Sequence, residues 1–183
     1  MILIVVLALV LLLLVYGIGI YNKLVKERNF VDEAFSTIDA YLKKRYDLIP
    51  NLVETIKGYK DYEGGALERI IAARNRYMSA TTTEEKIENE NMITGALGRL
   101  FSITEAYPEL KANQNFMKLQ DELVKIEEDI LQARKYYNGS VRVYNTMCET
   151  FPSLLIANNF GFKKYSFFKV QNEEERENVK VQF

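Results

Sequence analysis

Phe116 to Met147 reads FMKLQDELVKIEEDILQARKYYNGSVRVYNTM. Phe116, Leu119, Leu123, Ile126, Ile130, Ala133, Tyr137, Ser140, Tyr144 and Met147 follow one another at alternating steps of three and four. Residues at those steps share one face of an α-helix, so the stretch makes a heptad seam. A strict 3.5-residue repeat predicts a left-handed supercoil with partner helices. A helix of this length with a single apolar seam needs other helices to cover it, and the flanking sequence is expected to supply them.

Upstream, Leu24, Val31, Ile38, Arg45, Leu52 and Tyr59 recur every seven residues, and Phe35, Leu42, Ile49 and Ile56 widen the stripe. This predicts one long amphipathic helix over Tyr21 to Tyr62. Pro50 lies inside it, removes the backbone N–H that the Tyr46 carbonyl would accept, and is expected to bend the axis. Glu63-Gly64-Gly65 reads as a turn. Leu67, Ile70, Ile71, Arg74, Tyr77 and Met78 outline a shorter helix, which breaks at Ser79 to Glu84 with Thr83 and Lys86 as a weak cap. Ile93, Ala96, Leu97, Leu100, Phe101, Ile103 and Tyr107 outline a third, ending at Pro108, and Phe151-Pro152 ends the fourth. Gly95 and Gly98 are not a phosphate loop, because no strand precedes them and no Gly-Lys-Ser follows. The expected fold is all-α: an N-terminal transmembrane helix, then an elongated up-down four-helix bundle with long first and last helices, and an extended C-terminal tail.

Ile2 to Ile20 carries no charge, and about 20 apolar residues suffice to cross the hydrocarbon layer. A cleaved signal peptide is the competing reading, but no basic residue precedes the run and it exceeds the usual apolar length. The domains are therefore read as a transmembrane anchor at 1–20, a long antiparallel helical bundle at 21–150, and a tail at 151–183 that packs back on the bundle. Val179, Val181 and Phe183 alternate with polar residues, as a short strand at 179–183 would. Lys23, Lys26 and Arg28 follow the apolar run, which favours a single-pass protein of the cell membrane with a short outer N-terminus and a cytoplasmic bundle.

Composition excludes more than it assigns. The 24 basic and 25 acidic residues nearly cancel, so nothing points to nucleic acid. The absence of histidine removes the commonest general base and zinc ligand. A single cysteine, Cys148, rules out an internal disulfide and reads as a buried inert thiol. No catalytic residue, metal site or cofactor is expected.

The motifs Tyr21-Asn22, Arg45-Tyr46-Asp47-Leu48-Ile49-Pro50-Asn51-Leu52-Val53-Glu54, Lys57-Gly58-Tyr59 and Ala73-Arg74 resemble those of the LemA family. So do Glu105-Ala106-Tyr107-Pro108-Glu109-Leu110-Lys111-Ala112-Asn113, Ala133-Arg134, Tyr137-Asn138, Tyr144-Asn145, Phe151-Pro152 and Phe160-Gly161-Phe162-Lys163. The resemblance covers nearly the whole chain. It implies a membrane-anchored bundle of long helices, mostly bacterial, and no settled reaction. It further implies genomic neighbours among membrane proteases and other membrane proteins, with one branch serving organelle-membrane formation in magnetic bacteria. Tyr62 departs from the pattern, since many relatives carry histidine there.

Two groups of residues stand out. Arg45 and Arg74 fall on stripes that face the core, and Gln120, Glu127 and Arg134 lie seven apart on one flank of the last helix. A buried arginine needs a carboxylate, so Arg45, Asp47, Arg74, Gln120, Glu127 and Arg134 are read as a polar network, structural before it is a binding groove. Tyr137-Asn138 and Tyr144-Asn145 repeat at seven residues and are read as core edge or as an interaction surface. The functional expectation is a non-enzymatic scaffold or adaptor whose partners are the lipid bilayer and either a membrane protein or its own copies. A membrane-organising homo-oligomer that builds a lattice is the alternative, and a hydrolase ranks last.

Overall fold

The computed structural model describes residues 1–58, 64–104 and 106–168. Tyr59, the Glu63 turn residue, Tyr62, and the strand expected at 179–183 lie outside those residues. Six helices appear among the described residues: α1 Ile2–Lys57, α2 Gly64–Ser79, α3 Thr83–Thr104, α4 Pro108–Lys111, α5 Gln114–Glu149 and α6 Ser153–Asn159. They contain no strand. The expected anchor and first bundle helix are thus one continuous helix, in which Pro50 sits without ending it. The tail contributes α6 followed by chain without helix or strand up to Phe168.

The helix ends follow from side chains. Thr82 Oγ1 accepts the Glu85 N–H at 3.2 Å, while the Glu85 carboxylate accepts the N–H of Thr81 at 2.9 Å and of Thr82 at 3.3 Å. This is a capping box one residue earlier than the Thr83 and Lys86 cap expected from sequence. The N–H groups of Thr81 and Thr82 hold the Glu85 carboxyl below its ordinary pKa. Asn113 Oδ1 caps α5 by accepting the N–H of Asn115 and Phe116 at 2.9 and 3.1 Å. At the end of α6, Phe162 N–H reaches the Ala157 carbonyl at 2.9 Å and Gly161 N–H the Asn158 carbonyl at 3.4 Å, with Gly161 at φ 71°. That left-handed turn explains a glycine between Phe160 and Phe162.

The chain forms two compact units. The first comprises Met1–Ala40 and Leu131–Phe167. Its interior holds Leu24, Val31, Ala34 and Ile38 of α1, Ala133, Tyr137, Val141, Tyr144 and Cys148 of α5, and Ser153 and Ala157 of α6. Met1 to Tyr16, Ile18 and Gly19 are exposed, and the start of α1 is long and apolar enough to cross a membrane. A signal sequence has the same character.

The second unit runs from Tyr41 to Ile130 and takes in Phe168. Leu42, Ile49, Leu52 and Ile56 of α1 are buried with Leu67, Ile70 and Tyr77 of α2, Ile93, Leu97 and Leu100 of α3, and Phe116, Leu123 and Ile126 of α5. α2 and α3 pack on each other.

The seam of α5 corrects the heptad reading. Val141 and Cys148 are buried, whereas Ser140 and Met147, the heptad positions, are only half-buried. Through Ala133, Tyr137, Val141, Tyr144 and Cys148 the buried steps run four, four, three, four, so the register slips by one residue after Tyr137. In α1 the seven-residue repeat holds, with Leu24, Val31, Ile38, Arg45 and Leu52 all fully buried.

Candidate functional site

Arg45 is the one fully buried cation among the described residues, and it is placed there by the apolar stripe of α1. Its guanidinium joins α1 to α3 and α5. Nη1 donates to Glu127 Oε2 at 2.7 Å and to Thr94 Oγ1 at 3.1 Å, and Nη2 donates to Glu90 Oε1 at 3.1 Å. Thr94 Oγ1 lies 3.2 Å from both Glu90 Oε1 and Glu127 Oε1. Its single proton serves one carboxylate at a time. Glu90 is fully buried, while the Glu127 side chain keeps 38% of its surface in contact with solvent. Two carboxylates therefore share one arginine, and the arrangement fixes three helices in register. A buried charge left alone would be far costlier than the triad as it stands.

The other members of the expected network lie elsewhere. Asp47 is exposed on α1. Gln120 is half-buried on α5, and Arg134 is half-buried in the other unit. Arg74 Nε donates to the Tyr46 carbonyl at 3.2 Å. That is the acceptor which Pro50 deprives of its helical N–H, so Arg74 repairs the proline's damage from outside the helix. Arg74→Met is expected to cost about 1 kcal/mol by removing that hydrogen bond. The added change Pro50→Ala, which restores a helical N–H, should recover most of it. Thermal unfolding of the single and double variants checks this, and a double variant no better than the single would contradict it.

Glu90 is absent from the sequence expectation. It stands in the polar run Glu88-Asn89-Glu90-Asn91, which reads as a solvated face. Yet it is three residues from both Ile87 and Ile93, two buried positions, and the stripe logic that singled out Arg45 would have found it.

In the first unit, Tyr137, Asn138, Tyr144 and Asn145 lie along α5. Tyr137 and Tyr144 are fully buried, Asn145 nearly so, and Asn138 half-buried. Three of them hold the chain's own segment beyond α6. Asn145 Nδ2 donates to the Tyr165 carbonyl at 2.9 Å, and Asn145 Oδ1 accepts the Tyr165 N–H at 3.0 Å. Tyr137 donates its hydroxyl to the Ser166 carbonyl at 3.0 Å, and the Tyr144 ring meets Tyr165 edge-on at 5.4 Å. Tyr165 donates to Asp32 Oδ1 at 2.6 Å, and Lys164 pairs with Glu149 at 2.7 Å. Burial, then the Asp32 carboxylate that accepts its proton, pushes the Tyr165 hydroxyl above its ordinary range. Burial likewise raises the Tyr144 hydroxyl and the Cys148 thiol. A raised thiol is the opposite of an activated nucleophile.

Among the described residues no group of three or more Cys, Asp or Glu side chains is arranged to hold a metal ion. An open cleft of about 400 Å³ in the second unit is lined by Asn51, Glu54, Thr55, Asn115, Lys118, Leu119 and Glu122.

The chain is 26% identical over 158 residues to Protein LemA of Metamycoplasma hominis, covering 86% of this chain and 72% of that one. It is 33% identical over 73 residues to magnetosome protein MamQ of Magnetospirillum gryphiswaldense, and 31% identical over 74 residues to MamQ 2 of Paramagnetospirillum magneticum. Each of those matches takes in 40% of this chain and 27% of the relative. The model of the LemA family matches residues 34–183. With most of its length inside that match, the chain belongs to the LemA family.

Proposed function

We propose that this protein is a membrane-anchored, non-enzymatic scaffold of the LemA type, which presents helical surfaces to a membrane-protein partner. The observation that carries the reading is the contrast along α1: Met1 to Tyr16 are bare and apolar, whereas from Leu24 onward one stripe of the same helix is fully buried. A bare apolar helix of this kind belongs in lipid. The polar centre of the second unit is spent on holding helices together, and the names of the relatives state no reaction. Lys23, Lys26 and Arg28 favour a cytoplasmic location for the rest of the chain.

Outward-facing apolar side chains supply the contact surface. Met117 and Val124 are exposed on the second unit's part of α5, and Leu131, Tyr136 and Val143 on the first unit's part. The test is extraction of the full chain in mild detergent, with the intact mass of the assembly measured. The expected result is an uncleaved chain of 21.3 kDa bound to an unlike membrane protein, lost on Val124→Asp or Val143→Asp with helicity unchanged. A monomer would overturn the scaffold reading, and a chain shortened at its N-terminus the anchor. A large symmetric homo-oligomer would favour the second reading, a membrane-organising assembly, for which the partial likeness to the magnetosome protein is the support.

A further inference from the structure

The bare part of α1 runs from Ile2 to Gly19, with Gly17 alone half-covered. Ile2 to Gly19 spans about 27 Å at ~1.5 Å per residue, against a hydrocarbon core of about 30 Å, so the span ends near Ile20 and Tyr21. Protein lies against the end of this stretch at Gly17 and Tyr21. Ile156 Cδ1 is 3.9 Å from the place a Cβ would occupy on Gly17, and the Tyr21 ring meets Phe160 at 4.9 Å and Phe162 at 5.6 Å. What lies against those residues is α6 with its flanks, and its outer side is apolar: Phe151 is 79% exposed, Leu155 53% and Phe160 63%. Beside it, a cleft of about 590 Å³ runs between α1 and the junction of α5 with α6, with Val15, Ile20, Met147 and Pro152 in its wall and Lys23 among its polar residues.

We infer that α6 is a second membrane contact, a short interfacial helix seated in the bilayer surface beside the end of the anchor. Phe151, Leu155 and Phe160 enter the boundary between acyl chains and headgroups, the depth at which amphipathic helices bury their apolar face. Asn158 and Asn159, exposed at the end of α6, and Lys163, exposed just beyond it, meet the headgroups. The apolar cleft takes an acyl chain, with Lys23 near its phosphate. The inference rests on the anchor reading of Ile2 to Ile20 and adds a depth and an orientation to it.

The chain has no tryptophan, so one substitution makes a single reporter. Leu155→Trp, Phe151→Trp, Leu9→Trp and Val124→Trp in the full chain, each at an exposed position, are reconstituted in vesicles of phosphatidylcholine and phosphatidylglycerol carrying bromine at shallow or deep acyl carbons. The expected result is that deep bromines quench the Leu9→Trp reporter and shallow bromines remove most emission from the Leu155→Trp reporter, with a blue shift. The Val124→Trp reporter should stay unquenched. Unquenched, water-like emission at 155 and 151 with quenching at 9 overturns the inference and leaves the anchor standing. Loss of quenching at 9 overturns both. Should Leu155→Trp misfold, Phe151→Trp carries the test alone.

Discussion

Arg45→Met is expected to cost about 3–5 kcal/mol, the largest loss from any single change in the second unit. The cost arises at Glu90. Glu127 keeps part of its surface in water and can turn outward, whereas Glu90 is fully buried and loses its countercharge. The double variant Arg45→Met with Glu90→Met removes both charges and should regain most of that stability, because apolar side chains of similar volume commonly replace a buried ion pair without loss. Glu127→Gln keeps an acceptor for Arg45 and should cost only about 1 kcal/mol. Thermal melts of the full chain in detergent, followed by far-UV circular dichroism, give all three values. A double variant as unstable as Arg45→Met would show that the cost lies in lost packing of the arginine stem, not in an orphaned carboxylate.

The second large effect is at Asn145. Asn145→Ala removes both hydrogen bonds to Tyr165 and is expected to weaken the hold on the segment beyond α6 by about 1–3 kcal/mol. The helices beneath keep their own packing, so the loss is local. Hydrogen exchange reads it directly, since the Tyr165 N–H is the group Asn145 protects. Its exchange should accelerate roughly tenfold to a hundredfold while the amides around Tyr137 and Tyr144 stay slow. Tyr137→Phe, which removes one bond to Ser166 and leaves the ring in place, should have the smaller effect. Equal acceleration at Tyr137 and Tyr165 would mean that the segment holds the helix, rather than the reverse.

The helices were legible because their signals are local. Stripes at three and four residues marked α1, α2, α3 and α5, and the buried set in α1 matches the repeat at Leu24, Val31, Ile38, Arg45 and Leu52. The drift in α5 was not legible. Val141 and Cys148 adjoin Ser140 and Met147, and choosing between neighbouring positions requires knowing what packs opposite. Arg45 and Glu127 showed themselves by their place on a stripe and its flank, while Glu90 was masked by polar neighbours. The tie from Arg74 to Tyr46 and the grip of Asn145 on Tyr165 join residues 28 and 20 apart, and no local pattern announces them.

The Asn145 amide hydrogen-bonds to main-chain atoms of Tyr165, one N–H and one carbonyl. It behaves as the edge of a neighbouring strand would, reading the backbone and ignoring the side chain. Drift at position 165 is therefore limited by the ring and hydroxyl alone, with a single exception. Proline has no hydrogen on its nitrogen, and Asn145 Oδ1 would face a ring carbon instead. The boundary of tolerance at this position is set by one missing proton.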